Sequence, residues 1–150
     1  MTNRLPVESF SFPVEKIKEG YYTDAYFMRS EEILNGDNYH PRVLMQVFAR
    51  DHVVVCGTDE VIALIRQCAF HPETIEIHSL RDGEEVDEWE TVMTIEGDYA
   101  DFAHLETIYL GILARQSRIA TNVRRVVKAA NGKPVLFFPA RYDIYQTQES

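Results

Sequence analysis

From Thr107 to Tyr142 the sequence holds no aspartate or glutamate, although its 150 residues carry 24 acidic and 15 basic side chains. That stretch contains Arg115, Arg118, Arg124, Arg125, Lys128, Lys133 and Arg141, so a local positive field sits within a chain of net charge −9. The overall acidity argues against nucleic acid as the main partner, and the basic stretch is where an anion would be sought. The alternative is a basic helix face that pairs with acids elsewhere in the fold. Only Cys56 and Cys68 are present, both in apolar surroundings, which excludes a disulfide scaffold and fits a reducing compartment. No apolar run approaches the ~18 residues of a membrane span, and residues 1–14 lack the apolar core of a signal peptide. The sequence therefore reads as soluble and cytoplasmic. Also missing are a glycine-rich phosphate loop, a Walker pattern, histidine pairs at metal-binding spacing and a defensible nucleophile–histidine set. The acids between Asp82 and Glu96 read as a solvated face and not as a metal site.

What is present is an alternation of strand and helix signals. Residues 10–20, interrupted by Pro13, read as an extended lead-in. Thr23 or Asp24 is placed to cap a helix running to about Leu34, with Asn35-Gly36-Asp37 ending it. Residues 43–48 and 53–55 are β-rich. Thr58 is the expected N-cap of a helix whose Val61, Ile62, Leu64, Ile65 and Cys68 recur at helical spacing. Residues 74–80 alternate as a half-buried strand, and Asp82-Gly83 is a turn. Another strand should follow, with Trp89, Thr91, Met93 and Ile95 on one face. Asp98 and Asp101 then suit a helix N-terminus. The helical pattern beyond them is expected to break near Gln116-Ser117 and to end at Asn131-Gly132. The apolar run Pro134-Val135-Leu136-Phe137-Phe138 reads as a parallel strand of the kind covered on both faces. Such a strand needs neighbours, so the chain is expected to be a fragment that exposes this run. The fold class is α+β: an amino-terminal sandwich or hammerhead-like domain over 1–100, then over 101–150 linking helices and the first strand of a truncated α/β barrel.

Three pieces carry a resemblance: Thr23-Asp24-Ala25-Tyr26, Leu105-Glu106-Thr107 through Gln116-Ser117-Arg118-Ile119-Ala120-Thr121, and Phe137-Phe138-Pro139-Ala140-Arg141. In this order and at these separations they resemble the amino-terminal part of the nicotinate phosphoribosyltransferase family. That family is one of the type II phosphoribosyltransferases, which also include the quinolinate and nicotinamide enzymes. The resemblance covers residues 19–141 but only about the first third of a family member. It implies an enzyme that joins a pyridine acid to phosphoribosyl pyrophosphate and releases pyrophosphate. A flat ring needs an aromatic sandwich and its carboxylate a bidentate cation.

Carried over, the resemblance assigns the ring to Tyr26, reaching in from a neighbouring subunit, and to Phe138, with Arg141 on the carboxylate. Asp24, Thr107 and Thr121 would support them, and Arg115 and Arg118 are candidates for the phosphate region. The quinolinate enzymes place an arginine directly after the equivalent of Glu106. Thr107 stands there in this sequence, which points to a monocarboxylate, nicotinate, or to a neutral amide, and the acid-free basic stretch favours the anion. A homodimer and Mg²⁺ are implied, the metal's ligands lying outside this chain, while ATP coupling stays open. The rival readings are a related quinolinate or nicotinamide enzyme, or a non-catalytic module that uses residues 115–141 to bind an anionic partner.

Overall fold

The computed structural model describes residues 4–138 and 140–141. The longest strand, β5 (Thr91–Asp98), buries Met93, Ile95 and Gly97 at alternate positions, as strand periodicity requires, and buries Val92 in a second cluster with Ala49, Val55 and Val86. It is the middle of a three-stranded antiparallel sheet, between β1 (Arg42–Phe48) and β3 (Glu76–Ser79). Ile95 faces Met45 on one side and Ile77 on the other, so apolar cross-strand pairs hold the register. The pairing with β1 shifts between Val47 and Phe48. A second, two-stranded sheet pairs β2 (Val53–Val54) with β4 (Glu85–Val86).

Helix α3 (Thr58–Cys68) lies in the core, with Val61, Ala63, Leu64, Ile65 and Cys68 all at 0% exposure. Burying each of the larger of these side chains contributes about 1.5–3 kcal/mol. Its start departs from expectation by one residue. Gly57 occupies the cap position with φ 97°, where a side chain would also press on Gln116 and Ile112 at 3.1 Å. Asp82 supplies the cap from the turn between β3 and β4. Its carboxylate accepts the Gly57 and Thr58 N–H groups at 3.0 and 2.9 Å and the Thr58 hydroxyl at 2.8 Å.

Residues 10–20 are not extended throughout, because Pro13 opens a short helix, α1 (Val14–Lys18), that buries Ile17. Helix α2 (Ala25–Gly36) follows at the expected place and buries Phe27. Asp98 caps the four-residue α4 (Tyr99–Phe102) through the Ala100 N–H at 3.0 Å. Trp89 and Thr91 do not join Met93 and Ile95 on the buried face. Trp89 precedes the strand, has φ 69° and is 64% exposed.

The expected break near Gln116-Ser117 does not occur: α5 runs unbroken from Glu106 to Ala130. Ser117, one of the residues that suggested a break, fastens the helix to the small sheet instead, together with Thr121 one turn on. Ser117 Oγ accepts the Cys56 N–H at 3.0 Å and donates to the Cys56 carbonyl at 3.2 Å. Thr121 Oγ1 accepts the Val54 N–H at 2.9 Å and donates to the Ser117 carbonyl at 2.6 Å. The core runs across residue 100, joining Leu64, Met93 and Ile95 to Leu105, Tyr109 and Leu113. Asn131 (φ 46°) and Gly132 (φ 81°) end α5 as expected.

The run 134–138 is not a strand. No neighbouring strand pairs with it among the described residues, and Val135 to Phe138 are 48–77% exposed. A ladder needs a partner, so the apolar pattern alone does not produce one. Among the described residues no helix is long and apolar enough to cross a membrane.

Candidate functional site

The N-terminal ends of α2 and α5 meet in a corner. Asp24 holds the cap position of α2, yet its side chain caps nothing there. Its Oδ2 accepts the Thr107 hydroxyl at 3.2 Å. Tyr26 stands beside this pair with 55% exposure, its ring 4.1 Å from that of Phe27 between centroids. Partial loss of solvent, then the carboxylates of Glu106 and Asp24, hold the Tyr26 hydroxyl above its ordinary pKa. Burial, then Asp24, does the same for the Glu106 carboxyl. Tyr99 is raised by burial and by Glu106. Tyr109, 1% exposed, is pushed far up by burial and then by Glu106. The corner thus combines two carboxyl groups and three tyrosines, one of which, Tyr26, is open to solvent. Such an arrangement presents a stacking surface for a flat ring. It repels a carboxylate, so a cation for the carboxylate has to come from elsewhere.

Arg118 and Thr121 lie on a different part of α5. They line a groove of about 960 Å³ between α5 and the turn joining β1 to β2. Arg118 is exposed there, whereas Thr121 is 6% exposed and spends its hydroxyl on Val54 and Ser117. Thr121 is therefore a structural fastening and does not touch the corner. Arg115 borders a shallower depression beside the groove, shares it with Arg118, and is itself partnered. Phe138 is 75% exposed and Arg141 is exposed with φ 71°. Both follow the far end of α5, whose 25 residues rise about 36 Å. The chain does not fold them onto Tyr26. Among the described residues no ring contact joins Tyr26 to Phe138; the ring beside Tyr26 is that of Phe27. Pro139 lies outside the described residues. Among the described residues no three His, Cys, Asp or Glu side chains converge to hold a metal.

The sequence profile described as quinolinate phosphoribosyl transferase, N-terminal domain, matches residues 24–117, more than half of the chain. The chain belongs to the quinolinate phosphoribosyl transferase family. A crystal structure titled nicotinate-nucleotide pyrophosphorylase from Pyrococcus furiosus is 32% identical, with a TM-score of 0.76 over 91% of this chain and 36% of its own. The enzyme of the same title from Francisella tularensis shares the fold at 17% identity and a TM-score of 0.57, over 81% of this chain and 43% of its own. The one from Ehrlichia chaffeensis does so at 18% and 0.57, over 71% of this chain and 42% of its own. No curated protein matches the sequence significantly. The chain thus spans less than half the length of these structures.

Membership in the quinolinate phosphoribosyl transferase family agrees with the expected type II family and with the α+β class. The branch it names is the one held as an alternative from sequence, not the nicotinate branch. The profile opens at Asp24 and closes at Ser117, so it encloses Tyr26, Thr107 and Arg115 and leaves Arg118, Thr121, Phe138 and Arg141 outside. Sequence reasoning missed Tyr99 and Tyr109 at the corner. The Glu106–Tyr109 spacing of three on a helix was the available signal. It also missed Arg50 and Phe48 in the groove, for which no local pattern exists.

Proposed function

We propose that the protein carrying this chain is a phosphoribosyltransferase of pyridine nucleotide synthesis with quinolinate as acceptor. The supporting observation is the family profile over residues 24–117, which encloses the corner where Asp24, Tyr26, Glu106 and Thr107 meet. In this reading the pyridine nitrogen attacks the anomeric carbon of phosphoribosyl pyrophosphate and pyrophosphate departs. The step passes through an oxocarbenium-like state, and the protein's part is to orient the ring and to exclude water. Tyr26 stacks on the ring from one subunit of a homodimer, and Phe138 and Arg141 of the other complete the sandwich and the carboxylate contact. Mg²⁺, when bound, would neutralise the departing pyrophosphate, and the described residues do not assemble a ligand set for it.

A second reading, nicotinate as acceptor, is favoured by one observation. The residue after Glu106 is Thr107, bonded to Asp24, and the charges acting on this corner are acidic. Among the described residues no cation acts on Tyr26 or Glu106 to receive a second carboxylate, and ATP coupling belongs to this reading alone. Conversion of quinolinate into a nicotinate nucleotide requires loss of one carboxylate as CO₂. Supplying phosphoribosyl pyrophosphate with either acid separates the readings. Nicotinate nucleotide with matching CO₂ from quinolinate supports the first. Nicotinate nucleotide from nicotinate alone supports the second. Absence of nucleotide from both acids refutes the proposal.

A further inference from the structure

The groove between α5 and the β1–β2 turn is separate from the pyridine corner, and what it binds does not depend on the preceding reading. Along its α5 wall the side chains change character. Leu110, Leu113 and Ala114 come first, then Arg118, Asn122 and Arg125. Residues 118, 122 and 125 are four and three apart, so they share one helix face, and the two arginines stand about 10 Å apart along the axis. Arg50 and His52 enter from the opposite wall.

The groove gathers three of this chain's arginines, Arg50, Arg118 and Arg125. Arg4 pairs with Asp59, Arg42 with Glu76 and Glu96, and Arg124 with Glu85. Among the described residues Arg50, Arg118 and Arg125 have no ion-pair partner. Several other lysines and arginines also lack an ion pair among the described residues, so what marks Arg50, Arg118 and Arg125 is their convergence on one groove. Asp51 lines the same groove, and His52 already faces Asp87 at 2.8 Å. Planar guanidinium groups of this kind match phosphate oxygens two at a time.

The second observation is an aromatic shelf. Phe48 lines the groove and stacks on Trp89, with centroids 5.1 Å apart and planes at 32°. Both rings are open to solvent, at 39% and 64%. Trp89 adopts φ 69°, a left-handed conformation that a bulky side chain rarely takes. Two backbone bonds pin it there, Trp89 N–H to the Ala49 carbonyl at 2.8 Å and Ala49 N–H to the Glu90 carbonyl at 3.1 Å. The backbone therefore holds a large flat ring outward. Unpaired cations on one side and a presented aromatic face on another are the two halves of nucleotide recognition. A volume of about 960 Å³ accommodates such a ligand.

We propose that this groove binds a nucleoside phosphate, its phosphates on Arg118 and Arg125 with Arg50 opposite, and its base on the Phe48–Trp89 shelf. Trp89 is the only tryptophan, so its emission reports the shelf directly. Titrating the purified chain with ADP should change that emission saturably. Inorganic pyrophosphate should displace ADP, and adenosine should bind at least tenfold more weakly. Arg118→Ala and Arg125→Ala should each weaken ADP about tenfold without moving the thermal midpoint, since both side chains are exposed. By calorimetry, Trp89→Leu should weaken ADP and leave pyrophosphate unchanged. An emission that ADP does not move, or an ADP affinity indifferent to both arginine substitutions, overturns the proposal. So does tighter binding of a single-stranded oligonucleotide that ADP does not displace, because the groove would then read a polyanion.

Discussion

Replacing Asp82 by alanine tests how the central helix is held. The carboxylate makes three bonds: to the Gly57 N–H, the Thr58 N–H and the Thr58 hydroxyl. Loss of a helix cap costs about 0.5–2 kcal/mol. Thr58 is 0% exposed, and without Asp82 its hydroxyl keeps only the Arg4 guanidinium, a donor at 3.3 Å. A buried hydroxyl proton without an acceptor adds about 1–3 kcal/mol. The two costs overlap at Thr58, so the expected loss is about 2–3 kcal/mol. At this chain length that lowers the melting temperature by about 5–10 °C. Urea unfolding followed by circular dichroism and by Trp89 emission measures it, with an unchanged slope confirming that the unfolded state is unaltered. Asp82→Asn keeps an acceptor without the charge and should lose about 1 kcal/mol. An Asp82→Ala protein within about 0.5 kcal/mol of the parent would refute the capping argument.

Thr121→Val, which keeps the shape and removes the hydroxyl, should cost about 1–3 kcal/mol because the buried Val54 N–H loses its acceptor. Thr121→Ser should recover most of that in the same urea assay. His104 is 2% exposed, its Nδ1 has no hydrogen-bond partner among the described residues, and burial foremost lowers its pKa below 6.5. The unfolded chain therefore binds this proton more readily, and the stability is lost as pH falls below 6.5 through the folded value. Urea midpoints of the parent and of His104→Phe should diverge between neutral pH and about pH 5, with the parent losing more; parallel curves would count against it. His71 acts in the opposite sense. Its bond to Asp101 raises its pKa, so its small contribution is complete below 6.5 and fades as pH rises. In the protein carrying this chain, Arg141→Ala should weaken the pyridine acid by about 2–4 kcal/mol. Tyr26→Ala should cost about 1–3 kcal/mol of stacking and Tyr26→Phe almost nothing. Equilibrium binding of quinolinate and of nicotinate checks all three, and intact binding in Arg141→Ala would move the carboxylate elsewhere.

Elements whose burial follows from their own periodicity were legible in the sequence: α2, α3, β1, β3 and the inner residues of β5. The features that were not legible depend on partners distant in the chain. Asp82 caps a helix 24 residues before it, so Thr58 looked like the cap from local signals alone. Ser117 looks like part of a helix break, and Thr121 like a site residue, until the Cys56 and Val54 backbone is placed against them. Residues 134–138 have strand composition and no strand to pair with among the described residues. At the candidate site, the Thr-Asp-x-Tyr and Leu-Glu-Thr segments were read as a set, and Asp24 does meet Thr107. Arg50 and Phe48 reach the groove only because the β1–β2 turn brings them there, and no spacing rule encodes that.

The uninterrupted course of α5 makes it a ruler with a phase. Ser117 and Thr121 pin its middle to the small sheet, and that pin is the zero mark. Thr107 lies about 15 Å to one side of the pin and Arg125 about 12 Å to the other, at 1.5 Å per residue. One residue added between Glu106 and Ser117 would turn the corner by about 100° relative to the groove and carry Thr107 away from Asp24. A change of a whole turn keeps the phase and shifts the corner by about 5 Å. Variation in this helix should therefore be free in side-chain identity on the solvent face and nearly forbidden in length. The spacing between corner and groove is set by counting residues, and neither site can drift without taking the other out of step.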